Sequence, residues 1–148
     1  QIQLELHPQE DPTLTSILQA IGTLLYQKKR LDEAREFLQP ALQLSRRPPA
    51  QPLLTAILLN LLALLEKQRR NFKTSERHFQ ESLQLVRQSL GQSHAAASII
   101  LFNLGKLAIA QKNRSKAKQH VSEAVATLRA QAPHHPRLPQ FEALLAKL

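Results

Sequence analysis

Apolar residues recur along this chain at spacings of three and four, and strict alternation is almost absent. That is the period of an amphipathic helix, not of a strand. The apolar blocks are interrupted three times by short basic clusters. These hold Lys28, Lys29 and Arg30, then Arg69 and Arg70, then Lys112 and Arg114. Two longer breakers, "SRRPPAQP" (45–52) and "SLGQSH" (89–94), separate larger units. The pattern predicts helices near 11–28, 32–44, 52–69, 73–89, 94–112 and 114–130, and one more within 135–148. Asp11-Pro12 reads as a helix start, because Asp caps and Pro suits the first helical position. Asp32 begins the second helix in the same way. Pro40 lies inside that helix, removes one backbone hydrogen bond, and predicts a kink near Glu36.

The helical blocks are copies of one unit. Gly22, Ala63 and Gly105 fall into one column, at offsets of 41 and 42 residues. Small residues recur in two further columns, at Ala34, Ser75 and Ala117 and at Ala41, Ser82 and Ala124. Large apolar residues recur at Leu18, Leu59 and Leu101, and at Leu38, Phe79 and Val121. Small residues let two antiparallel helices approach, and large ones fill the space between them. Each unit therefore reads as helix A, turn, helix B, over about 11–46, 52–89 and 94–130. Residues 135–148 overlay 11–24, so a further A-type helix, capping or truncated, is expected over 136–148. Gln1-Ile2 aligns with Gln43-Leu44 and Gln84-Leu85, so the expectation is a segment of a longer array.

These columns resemble the tetratricopeptide repeat. Leu18, Ile21, Gly22 and Leu25, followed by Ala34, Leu38 and Ala41, stand at its usual positions. The long period, with Asp11-Pro12, His94-Ala95 and His135-Pro136 ahead of the small column, is closer to the kinesin-light-chain type. The resemblance implies an all-α, right-handed superhelical solenoid of about seven helices. The family usually has Gly at the A–B turn, where this chain has Lys29, Arg70 and Lys112. Asn71 and Asn113 follow, and Asn tolerates the left-handed conformation, which suggests a turn shifted by one position. Glu66 stands where a large apolar residue is usual.

The resemblance also implies a concave face lined by A helices that binds a peptide or partner protein. By that analogy the groove carries Gln19, Thr23 and Tyr26, then Asn60, Leu64 and Lys67, then Phe102, Lys106 and Ile109. Within each trio the steps are four and three residues, so each trio shares a helix face. Such a groove suits a peptide with an acidic residue beside an apolar anchor. Tyr26 and Phe102 are the candidate anchors. Phe102 and Leu64 have a second reading, as residues buried between neighbouring A helices. Chaperone-tail adaptors of the family grip a carboxylate with Lys, Asn and Arg at set columns. Those columns here hold Gln19, Thr23, Leu61, Ile99 and Asn103, and only Asn103 fits.

Composition and charge narrow the function class. The chain has 148 residues, 43% hydrophobic, with three glycines and no cysteine. That is enough for one domain with a core, and it removes disulfides, thiol catalysis and cysteine zinc sites. The longest apolar run, residues 53–65, is shorter than the roughly 20 residues of a membrane span. No leader-like run is visible, and a cytoplasmic location is the expectation. The net charge is +9, and from Leu83 onward nine Lys/Arg face only Glu123 and Glu142. A basic edge of Lys28, Lys29, Arg30, Arg69, Arg70, Lys112 and Arg114 raises an alternative, binding of nucleic acid or another polyanion. The aromatic platforms of single-strand binders are missing, which weighs against it. No phosphate-cradling glycine loop or paired-carboxylate signature suggests an enzyme. No cofactor or metal is expected. His134 and His135 adjoin prolines but lack a third ligand, and His78 and His120 share a B-helix column at a repeat interface. Asn113 begins an "NRS" sequon, relevant only in a secretory pathway. A third reading is self-association, with Ile2, Leu4 and Leu6 at one end and Phe141, Leu144 and Leu145 at the other as the pairing faces. The leading expectation is a non-catalytic interaction scaffold.

Overall fold

A computed structural model of the chain describes residues 12–148. Within them lie seven helices: α1 (Pro12–Gln27), α2 (Leu31–Arg46), α3 (Pro52–Gln68), α4 (Phe72–Leu90), α5 (Ala95–Ala110), α6 (Arg114–Gln131) and α7 (Leu138–Ala146). Asp11, and with it the expected helix cap, lies outside the described residues, as do Gln1, Ile2, Leu4, Leu6 and His7. Helices pack in the pairs α1–α2, α3–α4 and α5–α6, and each pair packs on the next through α2–α3, α4–α5 and α6–α7. Contacts limited to neighbours make a one-dimensional stack. The architecture is an all-α helical-repeat solenoid.

The small columns explain why the pairs close. Ala34, Ala41, Ser75, Ser82, Ala117 and Ala124 are all fully buried. A Cβ on Gly22 would sit 2.5 Å from Leu38 Cγ, and one on Gly105 would collide with Val121 Cγ2. The middle unit carries Ala63 in that column and compensates elsewhere. Its Ser75 and Ser82 hydroxyls donate to the Ala63 and Ala56 carbonyls, at 2.6 and 2.7 Å. Helices α3 and α5 lie between two B helices, so they are apolar nearly all round.

The three A–B turns are one structure repeated. Arg30, Asn71 and Asn113 N–H donate to the Leu25, Glu66 and Ala108 carbonyls at 2.8–2.9 Å. Lys29, Arg70 and Lys112 N–H donate to the Tyr26, Lys67 and Ile109 carbonyls at 2.9–3.0 Å. This six-to-one, five-to-two pairing is the Schellman closure, which needs its middle residue left-handed. Lys29, Arg70 and Lys112 have φ of 61°, 66° and 61°. The turn is therefore not shifted onto Asn, because the two closing bonds hold the basic residue in glycine's place. A Cβ there costs about 1–2 kcal/mol, and glycine loses about 0.5–1 kcal/mol more chain entropy on folding. Lys112→Gly should thus raise stability by about 0.5–1 kcal/mol, read as a higher melting temperature. A lower one would show that the Lys112 side chain has a stabilising partner.

Helix α2 runs from Leu31 to Arg46 with Pro40 inside it. Glu66 is 3% exposed and is held by polar partners. Asn71 Nδ2 donates to its Oε2 at 2.8 Å, and Arg35 Nε and Arg69 Nε lie 3.8 and 3.9 Å from Oε1. A buried carboxylate needs such company.

Candidate functional site

The A-helix face is built from α1, α3, α5 and the A-type helix α7. The groove columns of the first unit are partly occupied with each other. Thr23 Oγ1 donates to the Gln19 carbonyl at 2.7 Å. Tyr26 is half-buried, and its hydroxyl accepts from Gln68 Nε2 at 2.9 Å, tying α1 to α3. Burial pushes the Tyr26 phenol above its usual pKa, opposed by that hydrogen bond. In the next units Asn103 Nδ2 donates to Asn60 Oδ1 at 3.0 Å.

Phe102 is not an exposed anchor. It is 2% exposed, and its ring stacks on Phe141 with centroids 4.0 Å apart. Helix α7 covers it, so the reading as a buried residue holds. Leu64 is half-buried against the core, and Ile109 is 40% exposed. Phe141 itself is fully buried, which removes it from a self-association surface, and Leu144 and Leu145 are half-buried.

Two cavities open along this face. The first, of ≈ 390 Å³, is lined by Leu53, Ile57, Asn60, Leu61, Val86, Leu90, Ile99 and neighbours, with little polar surface. Its rim residues Leu53, Ile57 and Leu90 are 40–48% exposed. The second, of ≈ 550 Å³, lies between α5 and α7 and is lined by Lys67, Lys106 and Lys147 with Phe102, Ile109, Gln140 and Leu144. Its lining holds three lysines and no carboxylate. Lys106 Nζ stands 5.5 Å from the Phe102 ring centroid. Burial pushes the Lys67 pKa down, and the Lys106 charge pushes it further.

Sequence reasoning missed the first cavity and the α7 contribution to the second. Lys147 was within reach, because the overlay of 135–148 on 11–24 puts it in the column of Thr23, Leu64 and Lys106. Leu53, Ile57 and Ile99 had no distinguishing signal, since apolar A-helix positions read as core.

The basic edge is largely engaged. Arg30 pairs with Glu33 at 2.5 Å, and Arg69 pairs with Asp32. The Arg70 guanidinium lies 5.2 Å from the Phe72 ring centroid. Arg114 donates to the Leu148 and Lys147 carbonyls at 3.2 and 2.9 Å. Lys28, Lys29 and Lys112 are exposed. On the B-helix side, Arg46–Glu81, Lys116–Glu76 and Arg87–Glu123 link successive B helices, and Arg129–Glu142 links α6 to α7. His78 and His120 sit half-buried there, and burial lowers both pKa values, helped by Arg77 and by Lys116 respectively. His94 caps α5 by accepting from Ala96 N–H at 3.0 Å, and His135 Nδ1 accepts from Arg137 N–H at 3.0 Å; His134 is exposed. Asn113 caps α6 through Lys116 N–H. Among the described residues no group of His, Asp and Glu is arranged to hold a metal, and no helix is long and apolar enough to cross a membrane.

Comparison with known proteins agrees with this architecture. One tetratricopeptide repeat family model matches residues 54–130, and a second matches residues 14–47. No curated protein sequence matches the chain. Among solved structures, BtubC (BKLC) from P. vanneervenii superposes with a TM-score of 0.87 at 26% identity, over 97% of this chain and 58% of that one. The chain thus spans little more than half the length of that neighbour. It belongs to the tetratricopeptide repeat family, with repeats of the kinesin-light-chain-like kind.

Proposed function

We propose that this chain is a non-catalytic binding scaffold whose A-helix face takes an acidic peptide or partner-protein segment. Tetratricopeptide repeat domains generally mediate protein–protein interactions. The observation that carries the finer reading is the second cavity, where Lys67, Lys106 and Lys147 line one space without a carboxylate. Like charges crowd there at a cost that an anionic ligand relieves. Burial, and after it the Lys106 charge, lowers the Lys67 pKa. The groove residues of this reading are Gln19, Thr23, Tyr26, Asn60, Leu64, Lys67, Lys106 and Ile109, with Phe102 as a wall and Lys147 added.

The polyanion alternative loses much of its basis, because Arg30, Arg69, Arg70 and Arg114 already have internal partners. A displayed library of random peptides separates wild type from Lys67→Glu/Lys106→Glu. Wild-type selections should be rich in Asp and Glu, and the selected peptides should bind the variant at least about tenfold more weakly, or 1.4 kcal/mol. Circular dichroism should stay the same. Equal acidic content in both selections would remove the lysine cavity from consideration.

A further inference from the structure

The repeat lets one gap between A helices be compared with the next. Between α5 and α7 the gap is closed by the Phe102–Phe141 ring stack, with the Arg137 guanidinium over both rings. Phe102 stands 42 residues after Asn60, and Arg137 and Phe141 stand 41 residues after Ala96 and Ile100. Asn60, Ala96 and Ile100 all line the apolar cavity of ≈ 390 Å³ between α3 and α5. Each is smaller than its counterpart one unit on. The cavity therefore lies where the next gap holds two aromatic rings and a guanidinium. Packed interiors leave few spaces of that size.

Its walls select what fits. Ala56, Ser82, Val86 and Ile100 form a floor at most 5% exposed, while Leu53, Ile57 and Leu90 at the mouth are 40–48% exposed. Among the described residues no ionisable side chain lines the space, so a charge would lose its water there without gaining a partner. Ser82 Oγ is spent on the Ala56 carbonyl. Asn60 Oδ1 accepts from Asn103, which leaves Asn60 Nδ2 outside that bond and able to donate to one acceptor. The volume is that of a small-molecule pocket. We infer that this cavity is a small-molecule site for a neutral, planar aromatic compound of about two rings, which gives the α3–α5 gap the packing that Phe102 and Phe141 give the next. One acceptor atom of the compound meets Asn60 Nδ2. The site is separate from the lysine cavity and independent of what binds there.

Phenylnaphthylamine is the probe: it is neutral, aromatic and brightens on leaving water, and the chain has no tryptophan to interfere. Wild type should bind it saturably. Asn60→Phe/Ile100→Phe/Asn103→Leu places the residue types of Phe102, Phe141 and Leu144 in this gap and removes both amides of the Asn pair together. That variant should bind the probe at least about tenfold more weakly, with an unchanged or higher melting temperature. Ala96→Leu, a milder filling in the first turn of α5, should weaken binding in the same direction and keeps the test open if the triple variant does not fold. Lys67→Glu/Lys106→Glu should bind the probe as wild type does. Acetylnaphthalene should displace the probe better than methylnaphthalene, and Asn60→Leu should erase that difference. Decanol should compete at least about tenfold more weakly than either. Equal probe binding by wild type and the filled variants would overturn the site, as would no signal or one that never saturates. Decanol competing as well as the naphthalenes would overturn the aromatic assignment. A probe affinity that falls as protein concentration rises would give the cavity to a second copy of the chain instead.

Discussion

Phe141→Ala should cost about 3–5 kcal/mol. Phe141 is fully buried and comes from α7, a helix of only nine residues. A helix that short has no independent stability and holds its shape through packing. Its ring stacks on Phe102 at an interplanar angle of 10°, worth about 0.5–1.5 kcal/mol beyond area burial. The Arg137 guanidinium lies 5.8 and 5.3 Å from the two ring centroids, so one cation holds both aromatics. Removing the ring leaves a cavity under α7 and frees Phe102, which walls the lysine cavity. Denaturant melts would read the loss, and limited proteolysis should cut first within α7. Phe141→Leu should restore most of the stability but not the stacking increment. A variant as stable as wild type would mean that α7 contributes nothing to the array.

That one contact shows what a local reading of the sequence can and cannot reach. The helices and their pairing were legible because columns such as Gly22, Ala63 and Gly105 repeat, and periodicity is a local property. Whether Phe102 faces the groove or the interior was not, since it depends on Phe141, which follows 39 residues later. The left-handed Lys29, Arg70 and Lys112 escaped for a different reason. Residue type argues for Asn in that conformation, but two backbone hydrogen bonds at each turn choose the position. Ion pairing is non-local too: Arg69 reaches Asp32 from 37 positions away, and Arg46 reaches Glu81 from 35. Of the candidate site, the lysine columns were readable. The apolar cavity was not, because Leu53, Ile57 and Ile99 resemble core residues in every respect except exposure, which only the stacking of α3, α4 and α5 decides.

Pro40→Ala should raise stability by about 2 kcal/mol. The position is exposed and lies well inside α2, ten residues into a sixteen-residue helix. A proline there removes one backbone bond, to the Glu36 carbonyl, and presses its ring on that carbonyl, at about 3 kcal/mol or more. Against this stands the stiffer unfolded chain, worth about 0.4–1 kcal/mol to the proline form. The gain should appear as a higher melting temperature and slower amide exchange within α2; an unchanged or lower melting temperature would mean that α2 has adapted fully to the ring. The repeat supplies a second, sharper test. Glu81 and Glu123 stand in the Pro40 column, and each pairs with an arginine of the preceding B helix, Arg46 and Arg87. Among the described residues no arginine of an earlier B helix faces α2. Pro40→Glu should therefore match Pro40→Ala to within about 0.5 kcal/mol, since only the repaired backbone contributes. A clear excess for the glutamate would reveal a basic group facing α2 at the place where, one unit later, Arg46 faces Glu81.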